Sequence, residues 1–451
     1  MQNFLTQTID LSSLRRIWER LCAQVWIVPV MLVMTLAWGT WRLVQLAAHC
    51  VRNIPFWDEL TVTEPLIGHR GMLAAFLWQN GPHREGRGGW LQILVIQLSG
   101  WNEFAEAYVL LGLLVLAAVL ALWICYRVSG NLHLADCTIP LLILTPAQYE
   151  HWASSIHYAH SVVPLVLLLA SGLLWLTPAS WKRLVGLLLL NFMAVFTGFS
   201  LFLGPLTLLL FLIEAWQSQG APRRQAILGA VLSALTLAAF FLGWQFRPAN
   251  PKFGVVHPSL AEYGAFAATL IGHPFQAGAH IGGLLLMALA VLALLSGWAL
   301  LRKQNSATNR ILFLLAAFSL IFCLFDAYGR TSLGIHAAFS SRYTTLLLPG
   351  LFALYLAARV SGPLWSRRLL PVLLLLPILF LVSPITPDQE QDMDHLATIK
   401  GTWIATYRQT GSIALADRAA GFSLMAPINA NKIPPIIAYL RTHHLSFFRT
   451  P

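Results

Sequence analysis

The sequence predicts an all-α polytopic membrane protein, and three observations predict it. Hydrophobic residues make up 57% of the 451, mean hydropathy is +0.67, and apolar runs recur along most of the chain. Only 10% of residues are charged, and the bases fall in short clusters between those runs. Such clusters hold loops on the negative side of a membrane, so the net charge of +11 reads as topology rather than as a nucleic-acid surface. Cys22, Cys50, Cys125, Cys137 and Cys323 are scattered, without metal or redox spacing, and read as packing residues.

Hydropathy places about eleven helical spans. They lie near 25–48, 104–126, 132–147, 160–177, 183–199, 200–216, 226–246, 280–301, 310–325, 338–359 and 366–384. The first follows Arg15, Arg16 and Arg20 and lacks a small-residue cleavage site, so it reads as a retained span with a cytoplasmic N-terminus. Inside connections then carry Arg127, Lys182-Arg183, Arg223-Arg224, Arg302-Lys303 with Arg310, and Arg359 with Arg367-Arg368. Each is short and basic, as the positive-inside bias requires.

The other face differs in chemistry. Its segments are 49–103, 148–159, 247–279, 326–337 and the tail 385–451, and every histidine except His133 lies in them or at their edges. Chemistry-bearing side chains on one face favour an enzyme or receptor; a transporter more often places polar groups near the midplane. Within the first outer loop, Thr61–Gln79 and Trp90–Leu98 alternate at helical spacing and read as two interface helices. The glycines and proline of the turn from Asn80 to Gly89 separate them. The chain thus divides into a transmembrane module, 1–384, and a small outer tail, 385–451, whose ending from Tyr439 to Phe448 reads as a docking helix.

The first candidates are Asp58 and Glu59, just after the first span. A carboxylate there could take a proton from a hydroxyl, hold a divalent metal or orient a sugar. The structural alternative is a charge satisfying free N–H groups at a helix start. His83, Arg84, Glu85 and Arg87 lie on the turn of the same loop, and arginine's planar fork suits phosphate. Arg342, in the first turn of a span beside Tyr343, needs an anionic partner: Asp326, or a phosphate gripped together with Arg330. Glu150 stands with His151, His157 and His160 in a third outer segment, where neutral imidazoles converging with a carboxylate could bind metal. A solvated loop near lipid headgroups is the plainer reading of those histidines. There is no glycine-rich phosphate loop, dinucleotide fingerprint or nucleophile elbow, so no nucleotide cofactor is implied.

Pro55-Phe56-Trp57-Asp58-Glu59, His83-Arg84, Pro146-Ala-Gln148-Tyr149-Glu150, Gly329-Arg330, Ser341-Arg342-Tyr343 and Leu445-Ser446-Phe447-Phe448 occur in this order along the chain. With many spans and an outer tail, this set resembles the GT-C superfamily of membrane glycosyltransferases, and more specifically a group of bacterial multispan proteins placed near it. The resemblance implies a GT-C-like bundle in the bacterial cytoplasmic (inner) membrane, with the site and tail outside. It implies transfer of a sugar from a polyprenyl-phosphate donor to a glycan, lipid or protein acceptor, with Asp58 as catalytic residue. Related loops have an acid before the His-Arg pair, where this chain has Pro82. Asp58 and Glu59 are therefore the catalytic candidates. His83, Arg84, Glu150, Arg330, Arg342 and Tyr343 are the candidates for lipid phosphate and sugar. No cofactor is implied beyond a divalent metal, which stays open. A flippase or assembly factor of lipid or polysaccharide handling is the alternative.

Overall fold

Long apolar runs free of internal turn residues fold here as single helices, and their ends carry the caps that such helices need. A computed structural model describes residues 26–57, 59–68, 71–154, 156–247, 252–275, 278–304, 306–361, 385–424 and 432–449. The span expected near 366–384 and the candidate Asp58 lie outside these residues. Helix α1 is Ile27–Cys50, and α5 is Glu103–Ser129. The Asn102 side chain caps the start of α5 by accepting from the Phe104 N–H, and Gly130 ends it in left-handed backbone.

Among the described residues six helices are long and apolar enough to cross a membrane: Ile27–Cys50, Glu103–Ser129, Gly198–Gln217, Ala279–Leu301, Ala307–Leu333 and Ser341–Val360. The chain is therefore an all-α multi-pass membrane protein. The remaining expected spans that lie among the described residues are shorter or less apolar. The run near 132–147 breaks into α6 (Thr138–Ile143) between 3-10 turns. The next two are α8 (Val162–Trp175) and α9 (Trp181–Val195). Helices α10 (Leu203–Gln217) and α11 (Gly220–Phe240) pack as a pair, followed later by α13 (Ala279–Leu301), α14 (Ala307–Arg330) and α15 (Thr344–Val360).

One helix stands where an outer connection was expected. Helix α12, Leu260–Gly272, starts with a reciprocal capping box between Ser259 and Glu262 and buries Phe266, Leu270 and Ile271 against α13 and α14. The bundle wears its large apolar side chains outward. On α13, Leu284, Met287, Leu294, Leu295 and Trp298 are exposed, as are Val33, Met34 and Trp41 on α1. A water-exposed surface of this kind would aggregate, whereas lipid tails are its natural solvent.

The loop after α1 folds as α2 (Glu59–Ile67), α3 (Gly71–Leu77), a hairpin and α4 (Gly86–Ser99). The first expected interface helix is thus two short ones; the second is found and is longer. The hairpin pairs β1 (Gln79–Asn80) with β2 (His83–Arg84) around Gly81 in left-handed backbone. Close backbone approach fixes this loop on the bundle and joins the bundle segments beneath it. A Cβ on Gly198 would stand 1.7 Å from the Ala159 carbonyl oxygen, and one on Gly86 would stand 2.0 Å from that of Phe196. Both glycines have positive φ.

The tail is α16 (Pro387–Thr410), α17 (Ile413–Ala420) and α18 (Ile433–Thr442). It does not build its core alone. Trp403, Tyr407, Ile436, Leu440 and Phe447 pack in one cluster with Ile54, Phe56, Leu60, Ile96 and Trp101 of the first loop and its flanks. Backbone bonds sew the two together: Trp57 donates to the Leu424 carbonyl at 2.9 Å, and Ser446 to that of Gly100 at 3.0 Å. Short helix α7 (Glu150–Ala153) touches both α16 and the 3-10 turn at Ser341–Tyr343.

Gly198→Ala is expected to lower the melting temperature in detergent, through a loss of about 1–3 kcal/mol from backbone strain and overpacking. An unchanged thermal transition, followed by tryptophan fluorescence, would show that the close approach to Ala159 is not needed.

Candidate functional site

A cavity of about 400 Å³ opens where the first loop, the segment after α6, the turn before α15 and the tail meet. The loop supplies Phe56 and Trp57, the middle segment Glu150 and Ser154, the turn Ser340 and Arg342, and the tail Leu396, Ile399, Phe422 and Ser423. Five of these ten residues are apolar or aromatic and supply most of the wall's surface, with one cation, one carboxylate and three serines set among them. Trp57 has φ 52°, uncommon for a bulky residue and typical of positions that the surroundings over-determine.

The polar corner is tightly wired. The Glu150 carboxylate accepts from Ser340 Oγ at 2.6 Å and from the Arg342 N–H at 3.3 Å, while the Glu150 N–H donates to Ser341 Oγ at 2.9 Å. Two guanidiniums lie against the Tyr343 ring: Arg330 at 4.8 Å from its centroid and Arg342 at 5.3 Å. Asp326 pairs with Arg330 at 2.9 Å, one helical turn away, rather than with Arg342. The structure therefore brings together Glu150, Arg330, Arg342 and Tyr343 from the candidates read in the sequence. Arg342 is the one of the two arginines that lines the cavity.

Glu59 faces away from this wall. Its carboxylate accepts from the Phe56 N–H at 3.2 Å and from Trp101 Nε1 at 3.3 Å, and it lies with Glu103 and Glu106 so that one oxygen of each is within 4.8 Å of the others. Gln92 donates to Glu106 at 3.2 Å. Lys400 of α16 is buried beside them, 4.9 Å from the Phe56 ring centroid, and donates to the Ser154 carbonyl at 2.7 Å. Burial holds the Glu59 carboxyl above its ordinary range, against the opposing pull of its bonds to Glu103 and Phe56 and of the Lys400 charge. Burial pushes Lys400 down to about 8, although Glu103 and Glu59 favour its charge. Glu59, expected as a catalytic residue, is placed with its oxygens committed to the buried cluster and is not among the residues lining the cavity.

Arg84 is placed elsewhere too. It is buried, and its guanidinium donates to the carbonyls of Phe240 at 3.1 and 3.0 Å and Leu242 at 2.6 Å, with a further bond to Leu77. A fork spent on backbone carbonyls does not grip a phosphate. His83 also turns from the cavity, toward His160, His157 and Glu85. His151 leaves the other histidines for Thr345 Oγ1 at 2.9 Å, and burial, with the charges of Arg342 and His157, pushes it down to about 3.

Sequence reasoning passed over Glu103, Glu106 and Lys400. The signal for the first two was present: carboxylates at i and i+3 in the opening turn of an apolar span are costly there unless partnered. Lys400 carries no such mark. Comparison of the chain with protein-family models, with curated proteins and with solved structures finds no match.

Two outcomes follow from the buried cluster. Lys400→Met leaves carboxylates without their counter-charge and is expected to cost about 3 kcal/mol or more, read as a lowered melting temperature, with Glu103→Gln restoring part of it. An additive double variant would show that Lys400 and Glu103 do not interact. Glu59, raised in the folded state, contributes stability that is full below pH 4.5 and is lost as pH rises through its folded value. Glu59→Gln should therefore flatten the fall in melting temperature above pH 4.5, and an unchanged pH profile would remove the carboxyl from the account.

Proposed function

We propose that the chain is a GT-C-like membrane transferase that moves a sugar from a polyprenyl-phosphate donor to an acceptor on the outer face of the bacterial cytoplasmic membrane. The observation that carries this reading is the placing of Arg342 and Glu150 in the apolar, aromatic wall of one cavity. An apolar wall suits a lipid-linked substrate. A guanidinium suits its phosphate, because the planar fork binds two oxygens at once. The absence of any nucleotide-binding motif in the sequence favours a donor carried in the membrane.

Chemistry can be assigned on that reading. The acceptor hydroxyl attacks the anomeric carbon and gives its proton to the Asp58 carboxylate. The bond from that carbon to the phosphate oxygen breaks, and the lipid phosphate leaves with the electron pair. Arg342, with Arg330 behind the Tyr343 ring, neutralises the charge that grows on this phosphate. Glu150, held by Ser340 and the Arg342 N–H, orients sugar hydroxyls. Asp58 is assigned from the sequence alone, as the residue after Trp57, which lines the cavity.

In nanodiscs, Arg342→Gln should weaken polyprenyl-phosphate binding by about tenfold or more, the worth of a charge-assisted bond. Asp58→Asn should keep that binding and lower transfer by about 10²–10⁴-fold. Full transfer by Asp58→Asn would remove the base, and unchanged affinity in Arg342→Gln would remove the phosphate clamp.

A further inference from the structure

A second constellation lies outside the cavity wall and has no part in the reading above. The hairpin sends Arg84 one way, into the carbonyls of Phe240 and Leu242, and the residues on either side of it the other way. His83 and Glu85 there meet His160, at the end of the 3-10 turn Tyr158–His160. One ligand atom from each of these three side chains lies within 4.8 Å of the other two. His83 Nε2 faces His160 Nε2 directly, in a contact closer than an ordinary hydrogen bond. Two imidazole nitrogens aimed at each other repel unless they share a proton or part to ligate a common cation.

The surroundings favour a cation. Glu85 is fully buried, and a buried carboxylate needs positive charge close by. The arginines beside it in sequence look elsewhere: Arg84 to carbonyls, and Arg87 to the Trp90 ring at 6.0 Å. Histidine could supply charge only by being protonated in a buried place.

We propose that His83, His160 and Glu85 form a site for a divalent transition metal of the zinc class, with His157 as the outer partner that orients Glu85. His157 Nε2 lies 3.4 Å from Glu85 Oε2, and its ring stacks on His160 at 3.6 Å. Metal ligands are commonly held by such second partners. Two imidazoles and one carboxylate suit zinc, cobalt or nickel, whereas magnesium and calcium take oxygen sets. The backbone is pinned for the purpose, since Gly86, Gly88 and Gly198 leave no room for a Cβ against the 159 and 196 segments. A bound ion would tie the first-loop hairpin to the turn at 158–160. This ligand set differs from the one suggested by the 150–160 segment alone: Glu150 and His151 have other partners.

The test uses the full chain, free of any histidine tag, stripped with chelator in detergent and dialysed against zinc or magnesium. Wild type should retain about one zinc per chain and no magnesium, and cobalt should give the intense visible bands of a low-coordinate site. His83→Gln with His160→Gln should lose the metal, and His157→Phe should bind it about 10–100-fold more weakly. Wild type that retains no zinc and gives only the pale spectrum of hydrated cobalt would show a histidine pair sharing a proton, and would overturn the proposal. Zinc retained by the double variant would place the metal at other histidines and overturn it equally. Because polyprenyl-phosphate binding is read in a separate titration, failure here leaves the cavity reading standing.

Discussion

The structure depends on the burial of four ionisable groups at the edge of the bundle. Glu59 comes from the first loop, Glu103 and Glu106 from the opening turn of α5, and Lys400 from the tail. Such groups are tolerated out of water only when they partner one another, so three distant segments are held in one register. The consequence reaches the cavity. Leu396 and Ile399 lie on the same helix as Lys400, one turn and one residue before it, and both line the cavity wall. Trp57 lies just ahead of Glu59 and lines it as well. Fixing Lys400 against Ser154 and the carboxyls therefore fixes the tail side of the cavity, and anchoring Glu59 to Trp101 fixes the loop side.

Polar groups elsewhere in the bundle serve assembly. Arg183 pairs with Glu214 across α9 and α10, and Arg310 of α14 reaches the same carboxylate at 4.0 Å. Asp136 accepts from Tyr355 at 2.7 Å and from Arg359 at 3.2 Å, joining the turn before α6 to the end of α15. These pairs tie together connections that the charge pattern assigns to one face. They close on themselves, as structural pairs do. At the cavity a cation and a carboxylate are set into the wall, with Glu150 held by Ser340 and the Arg342 N–H.

Much of this was legible in the sequence, because hydropathy is a sum over many residues. Runs that fold as α1, α5, α13 and α14 are apolar throughout, and no local contact is needed to recognise them. Arg330 and Arg342 were legible together because charged residues at the ends of apolar spans must have partners, whereas Glu150 was read with the histidines of its own segment. Three things were not. Helix α12 was hidden in a segment rich in proline and glycine, although its Ser259–Glu262 capping box is local and readable. Arg84 looked like a phosphate ligand because a sequence shows a side chain's chemistry and not the carbonyls of Phe240 and Leu242, more than 150 residues on. Lys400 and Glu59 meet only through tertiary contact, and no spacing within either segment encodes that meeting.

The most direct test of the account is an experimental map of the full protein bound to a polyprenyl phosphate in nanodiscs. The account predicts phosphate density beside the Arg342 guanidinium, with the isoprenoid chain leaving along the aromatic side of the cavity. Density at another arginine cluster, such as Arg183 and Arg310 at the other ends of the helices, with the cavity filled only by water, would contradict it.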